Sequence, residues 1–125
     1  MDLHIDHRWL LERQEDILRK DLTVNDLSVL VGMAGRHRVN TPSLDQADPD
    51  AFWRAAVLLE ECVLLRPLPA RNELYGYGIA ISYLEASGLR VDTSYEPWRD
   101  LIHEIRSLRL DSYDIADRLR SWRTS

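Results

Sequence analysis

The chain has 125 residues and a net charge of −5, and it is 45% hydrophobic and 30% charged. This is the length and composition of one globular domain with a single core. The negative charge, with no basic stripe concentrated on one element, argues against nucleic acid as a partner, and no apolar run approaches the roughly 20 residues that cross a membrane.

Helical periodicity predicts six helical segments and an all-α fold. The first segment runs from His7 to Leu18, with apolar pairs at helical spacing. The second follows a cap at Thr23 or Asn25 and is expected to end at Gly35.

The segment from Arg36 to Gln46 has no clear period and contains Pro42, so we expect a loop. Asp48 and Pro49 form a strong start signal for a third helix, an acidic cap followed by Pro at the first helical position. That helix is predicted to end at Leu65, before two prolines.

A fourth helix is predicted from Glu73 to Ser87, with Gly88 just after its end. Because it is apolar nearly all round, we expect it to be the central, fully buried helix. Gly76 and Gly78 lie inside it and indicate close helix packing rather than a dinucleotide-binding loop.

The last two helices are predicted to begin at Tyr95-Glu96-Pro97 and at Asp111 or Ser112. No repeat, low-complexity stretch or linker interrupts the chain. Residues 1–125 are therefore predicted to form a single domain.

Residues 66–74 span the connection between the third and fourth predicted helices and the start of the fourth, and they read Arg-Pro-Leu-Pro-Ala-Arg-Asn-Glu-Leu. They resemble the active-site signature of the Fic/Doc (death-on-curing) family, His-Pro-Phe-x-Asp/Glu-Gly-Asn-Lys/Gly-Arg. The register continues through residues 75–92, where a small-and-apolar helix, an aromatic-Leu-Glu end, a Gly and a Leu-Arg-apolar-Asp segment follow as in the family. The resemblance covers residues 27–123 and implies a Fic/Doc-like helical fold.

Most reactive positions of this motif differ from the family. Arg66 stands where the family has its catalytic His, and a guanidinium is no base at neutral pH. Ala70 replaces the acidic metal ligand and has no ligand atom. Leu74 replaces the phosphate-clamping Arg. The family uses ATP and Mg²⁺, but here we expect neither a cofactor nor a metal, and we assign no catalytic residue.

Asn72 matches the family, and two interpretations of it remain open. Asn is among the best helix N-caps, and the same residue also fits a phosphate cradle at a helix N-terminus. Together with Arg66 and Arg71 it forms the predicted anion- or nucleotide-binding set, although such arginines are more often solvated or salt-bridged. Leu68 replaces a Phe that plugs the family's core, so we expect it to fill that role.

In the family, the loop before the pre-motif helix is a flap that holds the target peptide in extended form. Residues 36–44 correspond to it here, with a short hairpin as the implied structure. The predicted target-binding residues are Arg36, His37, Arg38, Val39 and Asn40. Apart from the resemblance, an ordinary surface loop explains this segment better.

Other chemically active residues are weak candidates. His4 and His7 lack further metal ligands at helical spacing. The only cysteine, Cys62, excludes an internal disulfide and lies in an apolar run, so we expect a buried thiol. His103 is expected to be exposed. With no signal-peptide hydrophobic region at the N-terminus, we expect a cytoplasmic protein.

Two functional classes compete. The resemblance implies a Doc-like toxin component of a toxin–antitoxin system that acts on a cytosolic protein target, with AMP or phosphate transfer lost or strongly altered. The alternative is a non-enzymatic Fic-fold pseudoenzyme that serves as a protein-binding or regulatory module. The expected partners are an antitoxin protein and a cytosolic target protein.

Overall fold

The structure, a computed structural model, describes residues 3–19, 23–38 and 50–124. Over these residues it contains six helices and one two-stranded ribbon, so the predicted all-α, single-domain fold with six helical segments is confirmed. The helices are α1 His7–Leu18, α2 Leu27–His37, α3 Ala51–Leu65, α4 Asn72–Ala86, α5 Tyr95–Arg106 and α6 Ser112–Ser121. The strands are β1 Arg90–Val91 and β2 Arg123–Thr124.

Aspartates cap four of the helices. Asp6 accepts a hydrogen bond from the N–H of Trp9 at 3.1 Å, and Asp111 forms a capping box with Asp114. These carboxylates satisfy backbone donors that have no partner inside the helix. Asp26 and Asp50 cap α2 and α3 in the same way.

Two predicted helix boundaries at α2 were wrong. Its cap is Asp26 rather than Thr23 or Asn25, and the helix passes through Gly35 to end at His37. A Cβ at Gly35 would meet nothing within 4 Å, and tertiary contacts of His37 extend the helix by holding its last turn in the core. For α3, Asp48 and Pro49 lie outside the described residues, and the observed cap is Asp50.

The most buried helix is α3, not α4 as predicted. Its residues from Phe52 to Glu60 are all buried, because α4, α6, α2 and α5 all pack against it. On α4 only one face is fully buried, and Tyr77 and Ile81 on the other face are half-buried. An aromatic ring of α5 covers part of this second face. The Tyr77 ring packs edge-on against the Trp98 ring of α5, with 5.2 Å between the ring centroids.

The two inner helices, α3 and α4, approach each other closely at Gly76. A Cβ at Gly76 would lie 2.9 Å from the Cβ of Cys62, and one at Gly78 would lie 2.6 Å from Ile17. The predicted role of both glycines in close packing is therefore confirmed. Gly88 has φ +80, which confirms it as the left-handed residue that ends α4.

The only described strands form an antiparallel ribbon that the sequence did not predict. Arg90 pairs with Thr124, and Val91 pairs with Arg123. The ribbon joins the segment after α4 to the segment after α6. The predicted hairpin was placed at residues 36–44 instead; of these, residues 39–44 lie outside the described part of the chain.

Candidate functional site

The motif loop, residues 66–71, connects α3 to α4 and is bounded by two arginines in the left-handed region. Arg66 has φ 47 and Arg71 has φ 60. Left-handed backbone costs a residue other than Gly roughly 1–2 kcal/mol, so other contacts of the loop must hold this shape. The residue types do not indicate these dihedrals, because arginine has no preference for the left-handed region.

Asn72 holds the loop closed. Its side chain is buried, accepts a hydrogen bond from the N–H of Leu68 at 2.8 Å and donates one to the carbonyl of Leu68 at 2.9 Å. The prediction that Asn72 is a helix N-cap was wrong, since the N-cap is Arg71 and it makes no side-chain cap bond. The amide of Asn72 is thus committed to the loop itself.

Three further interactions fix the loop to the body of the domain. The carbonyl of Pro67 accepts hydrogen bonds from the N–H groups of Asn25 at 2.9 Å and Asp26 at 3.3 Å. Leu68 is buried in the core, as predicted for the residue in place of the family's Phe. The guanidinium of Arg71 reaches the carbonyl of Leu18 at 3.4 Å. The loop is therefore anchored to the end of α1 and the start of α2.

The remaining motif positions are exposed and include no general base or metal ligand. Arg66, Ala70 and Leu74 are all exposed. Arg66 makes no ion pair with any residue that the structure describes. Glu73, the carboxylate next to the loop, is paired with Arg106 at 2.7 Å. No carboxylate belongs to the loop and no neutral base is present within it.

His103 lies near this loop, which its position in the sequence did not indicate. It is exposed, as predicted, and its Nδ1 accepts a hydrogen bond from Arg106 at 2.7 Å, the same arginine that pairs with Glu73. Because Nδ1 accepts from a permanent cation, neutral His103 carries its proton on Nε2. The arrangement is a Glu–Arg–His chain at the start of α4.

The predicted target-binding flap is in part a helix end. Arg36 and His37 belong to α2 and Arg38 is its C-cap, so the prediction of a loop here was wrong. Arg36 pairs with Glu60 at 2.9 Å and Glu61 at 2.7 Å, which ties α2 to α3. Val39 and Asn40 lie outside the described residues.

His37 is fully buried and joins the N-terminal segment to the core. Its Nε2 accepts a hydrogen bond from the N–H of Ile5 at 2.9 Å, and its Nδ1 contacts the carbonyl of Ala34. Burial, with the nearby charges of Arg38 and Arg54, lowers the pKa of His37 to about 4. A neutral imidazole in this position is structural, and it faces no opening at the motif loop.

The other predicted residues are placed as follows. Cys62 is buried, and burial raises the pKa of its thiol, so the prediction of an inert core cysteine is confirmed. His4 stacks edge-on against His37 at 5.8 Å between ring centroids. Within residues 3–19, 23–38 and 50–124, no three His, Cys, Asp or Glu side chains form a group that could hold a metal.

A cavity of about 740 Å³ opens beside the ribbon and the C-terminal end of α4. Ile81, Leu84 and Glu85 line it from α4, and Arg90 and Val91 line it from β1. None of the motif residues lines this cavity. The cavity was not predicted, because the ribbon that forms one of its walls was not predicted.

The fold and loop together define an all-α domain in which a closed loop connects two helices that pack against each other, α3 and α4. No protein-family model matches the chain, and no curated protein matches it significantly. Across the described helices, none combines the length and the apolar character needed to cross a membrane.

Proposed function

We propose that this protein is a Doc-like toxin component that acts on a cytosolic protein by binding it, without nucleotide transfer. The observation that carries the proposal is the motif loop, which connects α3 and α4 and contains neither a neutral base nor a metal ligand. The resemblance of residues 66–92 to the Fic/Doc motif and its following helix supports the toxin assignment.

Transfer of AMP or phosphate to a hydroxyl requires a base, a metal ligand and cationic contacts to the phosphates. Arg66 stays protonated, and Ala70 has no ligand atom. Loss of a positioned base costs about 10²–10⁴-fold in rate, and loss of one charge-stabilising contact costs about 10²–10³-fold. The combined loss brings transfer to a negligible rate.

The residues present do not fit Mg²⁺–ATP. Asn72 would be the surviving contact, but both ends of its amide are bonded to Leu68. The nearest carboxylate along the chain, Glu73, is held by Arg106. No step of the proposed function therefore involves a nucleotide.

A second candidate is a binding or regulatory module that has no toxic effect. The same loop chemistry supports it, because a protein that has lost its reactive groups can retain the surface that recognises a partner. The two candidates share protein binding and differ in the consequence for the cell.

Induced expression in the native host separates them. For a toxin component we expect slowed growth, relative to a matched gene with a stop codon in place of the codon for His7. That control makes the transcript but not the protein. Growth equal to the control would refute the toxin assignment and favour the regulatory module.

A further inference from the structure

One side of β1 presents backbone hydrogen-bonding groups that the ribbon does not use. Val91 lies opposite Arg123, and the N–H of the next residue, Asp92, donates to the carbonyl of Trp122 at 2.9 Å. Hydrogen-bonded and non-hydrogen-bonded pairs alternate along an antiparallel ladder. Because Asp92 is at a hydrogen-bonded position, the N–H and the carbonyl of Val91 point away from β2. We call this side of β1 the outer edge.

The outer edge has no strand beside it. Within the described part of the chain, neither the N–H nor the carbonyl of Val91 forms a hydrogen bond. The cavity of about 740 Å³ runs along β1, since its lining includes residues 88–91 and Thr93. Val91 itself is only 8% exposed, and backbone groups of buried residues are nearly always paired in native proteins. A strand from another molecule would supply the partners.

The outer edge is complementary to itself. A two-fold axis through it pairs Val91 with Val91 of a second copy, and each N–H then donates to the carbonyl of the other. The same register places Arg90 of each copy directly opposite Asp92 of the other. These two positions are non-hydrogen-bonded pairs, in which the side chains approach most closely. Opposite charges that face each other across two strands stabilise the pairing.

Arg90 is available for such an ion pair. It is exposed, and its neighbour across the ribbon is the neutral Thr124. Glu85 of α4 lines the same cavity, but no salt bridge joins the two side chains. Among the residues that the structure describes, Arg90 has no salt-bridge partner.

The carboxylate of Asp92 is also available. Its Oδ1 accepts hydrogen bonds from the hydroxyl of Ser94 at 2.7 Å and from the N–H of Ser94 at 2.8 Å. These bonds lower the pKa of Asp92, so the group is charged at neutral pH. Its Oδ2 forms no bond within residues 3–19, 23–38 and 50–124, and the residue is exposed.

The other side of the ribbon does not suit a second copy. The outward-facing position of β2 is Arg123, which lies opposite Val91. A two-fold pair through β2 would therefore place Arg123 directly opposite the same residue of the second copy. Like charges in that position destabilise a strand pair.

We propose that the outer edge of β1 pairs with the same edge of a second copy, so that two ribbons form one antiparallel four-stranded sheet. A strand of a different protein is the poorer occupant, because it would need a carboxylate opposite Arg90 and a cation opposite Asp92, which this chain itself provides. The contact covers few residues, so the dimer is weak and exchanges with the monomer. The inference goes beyond the proposed function, and none of its residues belongs to the motif loop.

Sedimentation equilibrium over a roughly hundredfold range of protein concentration tests the pairing, because the dimer fraction of a weak dimer rises with concentration. We expect a single monomer–dimer equilibrium. The variant Arg90→Asp opposes two carboxylates in each ion pair and should weaken the dimer about tenfold or more. The double variant Arg90→Asp/Asp92→Arg exchanges the two charges and should restore the dimer.

The control variant is Arg123→Asp, which makes the same change of charge on the other strand of the ribbon. Arg90, Asp92 and Arg123 are all exposed, so circular dichroism should show the same helical fold in every variant. The control should dimerise as the unmodified protein does. Dissociation by Arg123→Asp equal to that by Arg90→Asp would overturn the proposed edge.

Amide hydrogen exchange, followed by NMR, tests the backbone pairing without a substitution. The N–H groups of Val91 and Arg123 both point away from the ribbon ladder. At high protein concentration exchange should slow at Val91 and stay unchanged at Arg123. Slowing at neither amide while a dimer is present would overturn the strand pairing.

A monomer at every concentration would also overturn the inference and leave the outer edge to a strand of another protein. So would a dimer that Arg90→Asp leaves intact. If the double variant keeps its helical fold but stays monomeric, the ion pairs between Arg90 and Asp92 are refuted.

Discussion

The side-chain amide of Asn72 bonds both the N–H and the carbonyl of Leu68. A residue that the sequence places at a helix N-terminus thus closes the loop before that helix. Because the same bonds draw Leu68 into the core, they fix the ends of α3 and α4 and the arginines between them.

Asn72→Ala should lower the free energy of unfolding by about 1–3 kcal/mol, because it leaves the buried N–H and carbonyl of Leu68 without partners. Urea denaturation followed by circular dichroism measures the change. Ala70→Ser is the control, since Ala70 is exposed and should shift stability by less than about 0.5 kcal/mol. Equal effects of the two substitutions would contradict the account of the loop.

His37 should make the protein less stable in mild acid. Its pKa is about 4 in the folded protein and 6.5 when exposed, so the unfolded chain binds the extra proton between these values. Stability is then complete above pH 6.5 and falls by at most about 1.4 kcal/mol for each pH unit down to pH 4.

The measurement for His37 is urea denaturation from pH 7.5 to 4, comparing the unmodified protein with His37→Gln and His103→Gln. His37 is buried against Arg38, Arg54 and His4, whereas His103 is exposed. The loss in acid should be reduced in His37→Gln and retained in His103→Gln. The same pH dependence in all three proteins would show that other groups cause it.

Gly76→Ala should destabilise the protein by about 1–3 kcal/mol, because the added Cβ would lie 2.9 Å from the Cβ of Cys62 and force α3 and α4 apart. Gly32→Ala is the matched control. It is also inside a helix, but its Cβ would meet nothing within 4 Å, so it should stabilise by about 0.5–1 kcal/mol. Thermal unfolding of both variants tests whether the two substitutions change the stability in opposite directions.

Leu84→Ala should cost about 2–5 kcal/mol, as deletion of a fully buried leucine does. Leu74→Ala on the same helix removes the same atoms from a side chain that is 38% exposed, and should cost much less. Chemical denaturation of the pair measures the difference directly. Similar losses would mean that α4 is oriented differently in the domain.

The helices were predictable because their boundaries carry local chemistry. Apolar spacing gave the first helix its observed ends, His7 and Leu18, and the left-handed Gly88 was identified by residue type alone. The end of α2 was not predictable, since burial of His37 against Ile5 depends on residues far apart in the chain. The ribbon in which Arg90 pairs with Thr124 was not predicted either, because these residues are also far apart in the chain.

The site was predictable only in part. The helix-stopping prolines Pro67 and Pro69 located the loop, and its residue types showed that it contains neither a carboxylate nor a neutral base. The bonds of Asn72 to Leu68 were not predictable, because Asn before a helix ordinarily serves as its cap.

The most direct test of the account is transfer of label from radioactive ATP in the presence of Mg²⁺ and a lysate of the native host. The unmodified protein and Arg66→Ala should label nothing above background. The positive comparison is a variant with the family's residues restored, Arg66→His, Ala70→Glu, Arg71→Gly and Leu74→Arg. Strong Mg²⁺-dependent labelling by the unmodified protein, if the Arg66→Ala substitution abolishes it, would contradict the proposal that the protein acts by binding alone.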